Sequence, residues 1–267
     1  MEKITSRRNP LCVHMKKLGE SRSYRYERRE YLCDGVKLLE DAVNSGASIT
    51  SVLTSAQIPF PLPLDTRVYY TDRGVINSIS PLSTAQDTLF TCAMPVSRYP
   101  DGGGTPSAAR PTGDAVTDAG GACILLDSMQ DPGNVGAIIR TANAFGIKSV
   151  ILTGACADPY NPKAVRASMG AIFRQALCQM NIEELKALRD NGQRFIGATP
   201  DKNSTAITVA MLAGAVIVIG NEGRGLSDEV FSLCEETITI PLAPGTESLN
   251  AAVAAAIIIW ETMRCHH

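Results

Sequence analysis

Three short runs, residues 122–127 (Ala-Cys-Ile-Leu-Leu-Asp), 149–153 (Ser-Val-Ile-Leu-Thr) and 215–220 (Ala-Val-Ile-Val-Ile-Gly), lack the apolar–polar alternation of a half-exposed strand. A strand of that kind cannot leave one face in water, so both faces must be covered. Segments at helical spacing intervene, at about residues 134–145 and 182–191, and a last one at 248–263 closes the chain. Residues 194–198 and 237–241 read as further strands, and 161–172 as a loop entering a helix. Strands that alternate with helices predict an α/β fold with a parallel sheet covered on both faces. Ligands in such folds sit beyond the carboxyl ends of the strands.

Ahead of these runs the rhythm stops. The stretch Pro100-Asp-Gly-Gly-Gly-Thr-Pro-Ser, followed by Arg110-Pro-Thr-Gly-Asp, has the composition of a flexible linker. The expected organisation is a domain over residues 1–96, a linker over 97–120 and a second domain over 121–267. A chain of 267 residues is long enough for two modest cores. In the first part, Leu32, Val36, Leu39, Ala42 and Val43 lie at helical spacing within residues 28–45, which Gly46 ends. Residues 49–54, 67–71 and 89–94 are β-type runs, so a small α/β sandwich is expected there.

Composition narrows the class. No run supplies the roughly 20 apolar residues of a membrane span, and the N-terminus lacks the apolar core of a signal peptide. Eight cysteines without a Cys-x-x-Cys pair predict reduced thiols and a cytoplasmic protein. The three histidines, His14, His266 and His267, form no ligand cluster, so no metal is expected. The net charge of −2 conceals a basic start: residues 1–31 hold nine Lys and Arg against four acids, with Tyr24, Tyr26 and Tyr31 interleaved. Such a segment suits phosphate neutralisation and base stacking, or simply a solvated helix face.

Three loops carry residues with chemistry. In the first, Asp131-Pro-Gly-Asn134-Val-Gly136-Ala-Ile-Ile-Arg140, the apolar Val135, Ile138, Ile139, Ala142 and Phe145 share one helical face of about 120°. Arg140 projects from the opposite side, beside Gly136 one turn earlier, and Asn134 stands where an N-cap belongs. Taken alone, this is equally an amphipathic helix with a solvated arginine. The second, Gly220-Asn221-Glu222-Gly223-Arg224-Gly225-Leu226, directly follows the most apolar run. Its glycines allow positive φ and close backbone approach to a ligand, or a tight turn with Glu222 as a helix-start charge. The glycine spacing is not the dinucleotide fingerprint, which argues against a nicotinamide-dependent dehydrogenase. The third, Ile240-Pro241-Leu242 through Ser248-Leu249-Asn250, leads into an Ala-rich helix that Ser248 or Asn250 could cap.

In this order and spacing, N-x-G-x-x-x-R-x-x-x-x-F-G, G-N-E-G-x-G-L and I-P-x-x-x-x-x-E-S-L-N-x-x-V-A-A-A resemble the three motifs of the SpoU (TrmH-like) RNA 2′-O-ribose methyltransferases, a branch of the SPOUT superfamily. The resemblance extends to Lys163-Ala-Val-Arg166-Ala-Ser168-Met-Gly170. The opening Ile4-Thr-Ser-Arg7-Arg8-Asn9-Pro and the stretch Tyr31-Leu-Cys-Asp-Gly35 are similar to the substrate-binding domain often found ahead of such enzymes.

That resemblance implies a parallel-sheet SPOUT domain with a deep trefoil knot, preceded by a small α/β domain of the ribosomal protein L30e type. It further implies S-adenosylmethionine as cofactor, an RNA substrate and a homodimer with active sites at the subunit interface. By position, Asn134, Arg140, Glu222, Ser248 and Asn250 would be catalytic. Gly220, Asn221, Glu222, Gly223, Ile240, Leu242, Ser248 and Leu249 would hold the cofactor. Arg7, Arg8, Asn9, Arg25, Arg28, Arg29, Lys163, Arg166 and Ser168 would contact RNA. Ribosomal RNA is favoured over transfer RNA, because the N-terminal domain resembles that of rRNA-modifying members. This chain has Ala251-Ala252 where Val-Ser commonly follows the asparagine, so a hydroxyl is lost there.

The implied reaction needs a polarised or deprotonated ribose hydroxyl, an in-line methyl donor and the exclusion of water. The family's arginine at position 140 is often assigned as the base, yet a guanidinium keeps its proton to a pKa above about 12. Arg140 is therefore read as a clamp on the substrate phosphate or developing alkoxide. Glu222 is expected to orient Arg140 or accept a proton, and Asn134 to fix the hydroxyl. The rival readings are an RNA-binding relic without catalysis and a base methyltransferase of the same superfamily.

Overall fold

The structure, a computed structural model, describes residues 2–82, 84–95 and 122–264. The expected linker at 97–120 and the terminal His266 and His267 lie outside the described residues. Along the chain come β1 (Glu2–Ile4), α1 (Pro10–Glu20), α2 (Arg22–Arg28), β2 (Glu30–Asp34), α3 (Val36–Asn44), β3 (Ile49–Thr54), β4 (Arg67–Thr71), α4 (Arg73–Ile79) and β5 (Thr88–Ala93). Then follow β6 (Cys123–Asp127), α5 (Pro132–Ala144), β7 (Ser149–Thr153), α6 (Pro162–Ala167), β8 (Ala176–Gln179), α7 (Ile182–Asp190) and β9 (Phe195–Ala198). The series ends with β10 (Thr205–Ala206), β11 (Val216–Ile219), α8 (Asp228–Phe231), β12 (Glu236–Thr239) and α9 (Ala251–Arg264). Two compact units result: Met1–Pro95 with Asp158–Arg174, and Val96–Ala157 with Gln175–His267.

The first unit is built on a mixed sheet of order β1-β4-β3-β5-β2, in which β2 and β3 run antiparallel to β5. Met15, Leu18, Leu32, Leu53, Ile76 and Leu89 form its core. The helical spacing across residues 28–45 is broken at Gly35, whose φ of +120° is open to glycine and strained for other residues. Leu32 therefore belongs to a strand, opposite Thr91, and the helix begins only at Val36. Burial of Tyr31, Leu32 and Cys33 in sequence is what a strand covered on both faces requires.

Asp158–Arg174 follows β7 in sequence but packs with this first unit. There α6 packs against β2, and a buried ion pair adds to the join. Arg25 Nη2 and Nε lie 2.6 and 2.8 Å from Asp158 Oδ2. Arg25 Nη1 donates to the Leu18 carbonyl at 2.6 Å, while Tyr26 Oη and the Tyr160 amide donate to Asp158 Oδ1.

The second unit is α/β around seven parallel strands in the order β10-β12-β9-β11-β6-β7-β8. β11 lies between β9 and β6, with Ile219 opposite Ala198 on one side and Leu126 on the other. Every residue of β6, β7 and β11 is buried, as their unbroken apolar runs demand. Two strands lie outside the expected set: β8, and β10, which is only two residues long. β10 has no apolar run, and that of β8 is only Ala176-Leu177-Cys178, too short for periodicity to register.

Capping moves two helix starts. α5 begins at Pro132, not Asn134, because Asp131 Oδ1 accepts the Gly133 amide at 2.8 Å and proline is tolerated in a first turn. α9 begins at Ala251, not Ser248, since Asn250 Oδ1 accepts the amides of Ala252 and Val253 at 2.9 and 3.2 Å. α7 starts with a capping box between Asn181 and Glu184. α9 packs against α5.

Candidate active site

Beyond the carboxyl ends of β6, β11 and β12, three loops converge in the second unit. The loops after β9, β11 and β12, with the first turns of α9, enclose a cavity of about 590 Å³, within the roughly 300–1,000 Å³ usual for small-molecule sites. All eight residues expected to hold a cofactor line it: Gly220, Asn221, Glu222, Gly223, Ile240, Leu242, Ser248 and Leu249. Ile219, Leu226, Phe231, Ile238 and Ile258 add apolar wall.

The turn after β11 is closed by reciprocal hydrogen bonds, Asn221 N to Gly225 O at 2.9 Å and Gly225 N to Asn221 O at 3.0 Å. A Cβ on Gly220 would lie 2.4 to 2.6 Å from the backbone of Gly225 and Leu226, so the turn closes only without a side chain there. Gly225 itself has φ of +73°. Asn221 pins the turn from within: its Oδ1 accepts the amides of Gly223 and Arg224, and its Nδ2 donates to the Ser128 carbonyl at 2.8 Å.

A chain of side-chain hydrogen bonds links the three loops. Asn250 Nδ2 donates to Asn134 Oδ1 at 3.1 Å, and Asn134 Nδ2 donates to Glu222 Oε1 at 3.0 Å. Glu222 also accepts the backbone amides of Gln130 and Asp131, each at 3.2 Å. Desolvation raises the pKa of Glu222, but these donors, Asn134 first, outweigh it and hold the carboxyl below its usual range.

Glu222 therefore orients Asn134, not Arg140. Arg140 is exposed on α5, and its side chain makes no hydrogen bond or ion pair among the described residues. Occupied oxygens and a depressed pKa also make Glu222 a poor proton acceptor, contrary to the second role expected of it. Ser248 is exposed at the cavity. The amides of Gln130 and Asp131 belong to the site as well. Their signal is indirect: Asp131-Pro132 marks a helix start, which turns the preceding amides away from any helix.

The residues expected to touch RNA fall in the first unit. Arg7, Arg8, Arg28 and Lys163 are exposed, and Arg29 is half-buried. Asn9 caps α1 by accepting the Leu11 amide, and Arg166 Nη1 lies 3.4 Å from Thr84 Oγ1. Two expectations fail. Arg25 is 2% exposed and committed to Asp158, and Ser168 is fully buried with its hydroxyl on the Val165 carbonyl, so neither presents a group to RNA. Tyr31, one of the interleaved aromatics, is also buried, with its ring 4.8 Å from that of Tyr160. By contrast, Tyr24 has Lys17 and Arg28 at 5.5 and 5.3 Å from its ring.

Comparison with known proteins gives this geometry a family. Residues 121–260 match the model of the SpoU rRNA Methylase family. Over 266 residues, covering 97% of this chain and 98% of its relative, the sequence is 27% identical to the 23S rRNA (guanosine(2553)-2'-O)-methyltransferase RlmP of Bacillus subtilis. It is 34% identical over 148 residues, 53% of this chain and 52% of the relative, to the 23S rRNA (uridine(2479)-2'-O)-methyltransferase of Streptomyces viridochromogenes. Among solved structures, the AdoMet-bound rRNA methyltransferase from Sinorhizobium meliloti superposes with a TM-score of 0.80 at 25% identity, covering 99% of this chain and 98% of that one. The SpoU methyltransferase AviRb from Streptomyces viridochromogenes, in complex with AdoMet, superposes with a TM-score of 0.78 at 26% identity, covering 97% and 98%. The chain belongs to the SpoU rRNA methylase family.

Proposed function

We propose that the protein transfers a methyl group from S-adenosylmethionine to a ribose 2′-hydroxyl of ribosomal RNA. The observation that carries this is the Asn250–Asn134–Glu222 hydrogen-bond chain beside the cavity, in a member of this family. The cavity suits the cofactor: its apolar side chains can cover a purine, and Gly223 leaves backbone open to polar contacts. When bound, S-adenosylmethionine supplies an electrophilic methyl on a sulfonium. The chain's own residues then act on the hydroxyl. Glu222 stays ionised and fixes Asn134, and each asparagine uses one amide N–H within the hydrogen-bond chain, leaving the other for substrate oxygen. Arg140, uncommitted to any acceptor among the described residues, stabilises the developing alkoxide or the adjoining phosphate. Ribosomal RNA is preferred to transfer RNA because the relatives that match along the chain include named 23S rRNA enzymes.

Several finer features belong to the same reading. A deep trefoil knot in the second unit is supported by the path after β12, which leaves near one sheet edge and returns to pack α9 on α5, the helix that follows β6. The small first unit acts as an L30e-like RNA-binding domain through Arg7, Arg8, Arg28, Arg29, Lys163 and Arg166, joined by the linker at 97–120. The protein works as a homodimer. Val253, Ile257 and Trp260 stand exposed at i, i+4 and i+7 on α9, a stripe of the kind that a second copy covers. A cytoplasmic location suits an rRNA substrate and the seven cysteines among the described residues that stand outside any disulfide. No helix among the described residues is long and apolar enough to cross a membrane.

The test uses labelled S-adenosylmethionine and total RNA from a strain lacking the gene, with labelled RNA fractionated and digested to nucleosides. A labelled 2′-O-methylnucleoside in the ribosomal fraction is the expected result. Label on a base, or label confined to transfer RNA, would overturn the chemistry or the substrate respectively.

A further inference from the structure

Asp127, the last residue of β6, is a carboxylate that the reaction described above does not use. It is 1% exposed and makes no ion pair among the described residues. Its Oδ2 accepts the Ser227 amide at 2.6 Å, and its Oδ1 accepts the Ser128 hydroxyl at 3.1 Å. Its neighbours do not compensate the charge. Burial pushes the thiols of Cys156 and Cys234 up to about 11, with the Asp127 carboxylate adding to the rise of both, so they remain neutral. A buried carboxylate without a cation opposes folding, and its returns among the described residues are the two hydrogen bonds it accepts.

The place of those bonds indicates their use. The cofactor turn leaves β11 at Gly220 and comes back at Ser227, the residue before α8. It is tied to the loop after β6 at three successive points. Asp127 holds Ser227 at the exit, the Ser128 carbonyl holds Asn221 at the entry, and the amides of Gln130 and Asp131 hold Glu222 between them. β6 and β11 are adjacent and in register, Leu126 opposite Ile219, so both loops start from one fixed base. With the entry fastened by a side-chain amide and the crown by Glu222, the exit depends on Asp127.

We infer that Asp127 is a positioning residue for the S-adenosylmethionine pocket, holding the exit of the 220–227 turn through the Ser227 amide. The inference rests on the cofactor reading of that cavity. A carboxylate suits the task because both its oxygens accept, and both groups facing it donate. Asparagine can keep the Ser227 bond with its one oxygen while donating to the Ser128 hydroxyl, whereas alanine cannot.

The experiment measures S-adenosylmethionine affinity by calorimetry, together with Tm and the KM for RNA, in the full-length protein. Asp127→Ala is expected to weaken cofactor binding at least tenfold, with the KM for RNA changed less than twofold. Asp127→Asn is expected to stay within about threefold of wild type. Ser227→Pro removes the donor while keeping the φ of −68° that proline adopts, and it should reproduce the cofactor loss. Ser227→Ala, which removes only the side-chain cap, should not. The Asp127→Ala, Ser227→Pro double variant should bind no more weakly than the worse single variant.

A folded Asp127→Ala protein with wild-type cofactor affinity overturns the inference, as do additive losses in the double variant. Should Asp127→Ala not fold, wild-type affinity in Ser227→Pro overturns it equally. Failure of wild type itself to bind S-adenosylmethionine would instead remove the cofactor reading, and the inference with it.

Discussion

Glu222 accepts three hydrogen bonds, from Asn134 and the amides of Gln130 and Asp131, and these donors set its chemistry. A carboxyl held below its usual pKa contributes stability above its unfolded pKa and loses it as pH falls through the folded value. The stability difference between wild type and Glu222→Gln is therefore expected to be full at neutral pH. It should shrink as pH falls below the ordinary carboxylate range, as followed by denaturant unfolding across that range. In the same way, no limb of the methyl-transfer pH profile between pH 6 and 9 belongs to Glu222; a limb there that Glu222→Gln abolished would contradict its assigned role. Arg140 is the complementary case, a cation with no protein acceptor among the described residues. If it clamps phosphate or alkoxide through its planar fork, Arg140→Lys should lower kcat by roughly 10²-fold with cofactor affinity unchanged. Near-normal turnover of the lysine variant with an unshifted pH profile would show that a point charge suffices.

At the scale of elements, the site depends on how turns close and helices begin. Gly220 has no space for a Cβ, whereas at Gly223 the nearest atom to a Cβ would be Asn221 Oδ1 at an ordinary 3.7 Å. Gly220→Ala is therefore expected to abolish measurable S-adenosylmethionine binding, and Gly223→Ala to bind within a few-fold of wild type; calorimetry compares the two. Asn250 performs two tasks with one amide, its oxygen capping α9 and its nitrogen holding Asn134. Asn250→Ala should lose both, with a stability change of about 1 kcal/mol from the cap. Asn250→Ser should recover most of that stability in thermal unfolding while methyl transfer stays low, because a hydroxyl can cap but cannot span to Asn134. Periodicity made α5, α7, α9 and the central strands legible beforehand. It gave a wrong boundary at residues 28–45, since helical spacing there coincides with a strand buried on both faces, and only Gly35 marks the break. It also could not register β10, whose two residues are a strand only because β12 lies alongside.

At the scale of the molecule, the exposed stripe Val253, Ile257 and Trp260 is the feature that a single chain leaves unexplained. Trp260 meets Phe145 edge-on at 5.6 Å, which extends the apolar surface to the end of α5. If two copies bury it, the double substitution Ile257→Glu, Trp260→Glu should convert a dimer to a monomer in analytical ultracentrifugation. Cofactor affinity then reports whether the pocket needs the second copy. A wild-type protein that sediments as a monomer at tens of micromolar would remove the dimer from the proposal. Within the first unit, the insertion of Asp158–Arg174 is the corresponding surprise: α6 packs on β2, and the buried Arg25–Asp158 pair joins residues 133 apart in sequence.

The sequence by itself determined the α/β class, the strands that must be buried on both faces, and the three loops at their carboxyl ends. It also determined the family, because motif order and spacing survive without coordinates. These are properties of local pattern: an apolar run, a glycine that turns, a cap before a helix. Only the tertiary structure decided which polar groups meet. Asn134, Glu222 and Asn250 are separated by 88 and 116 residues from their partners and join only when three strand ends converge. The same convergence gave Glu222 to Asn134 rather than to Arg140. It also took Arg25 and Ser168 out of reach of RNA, because burial and pairing are settled by which surfaces pack together, and no single segment carries that information.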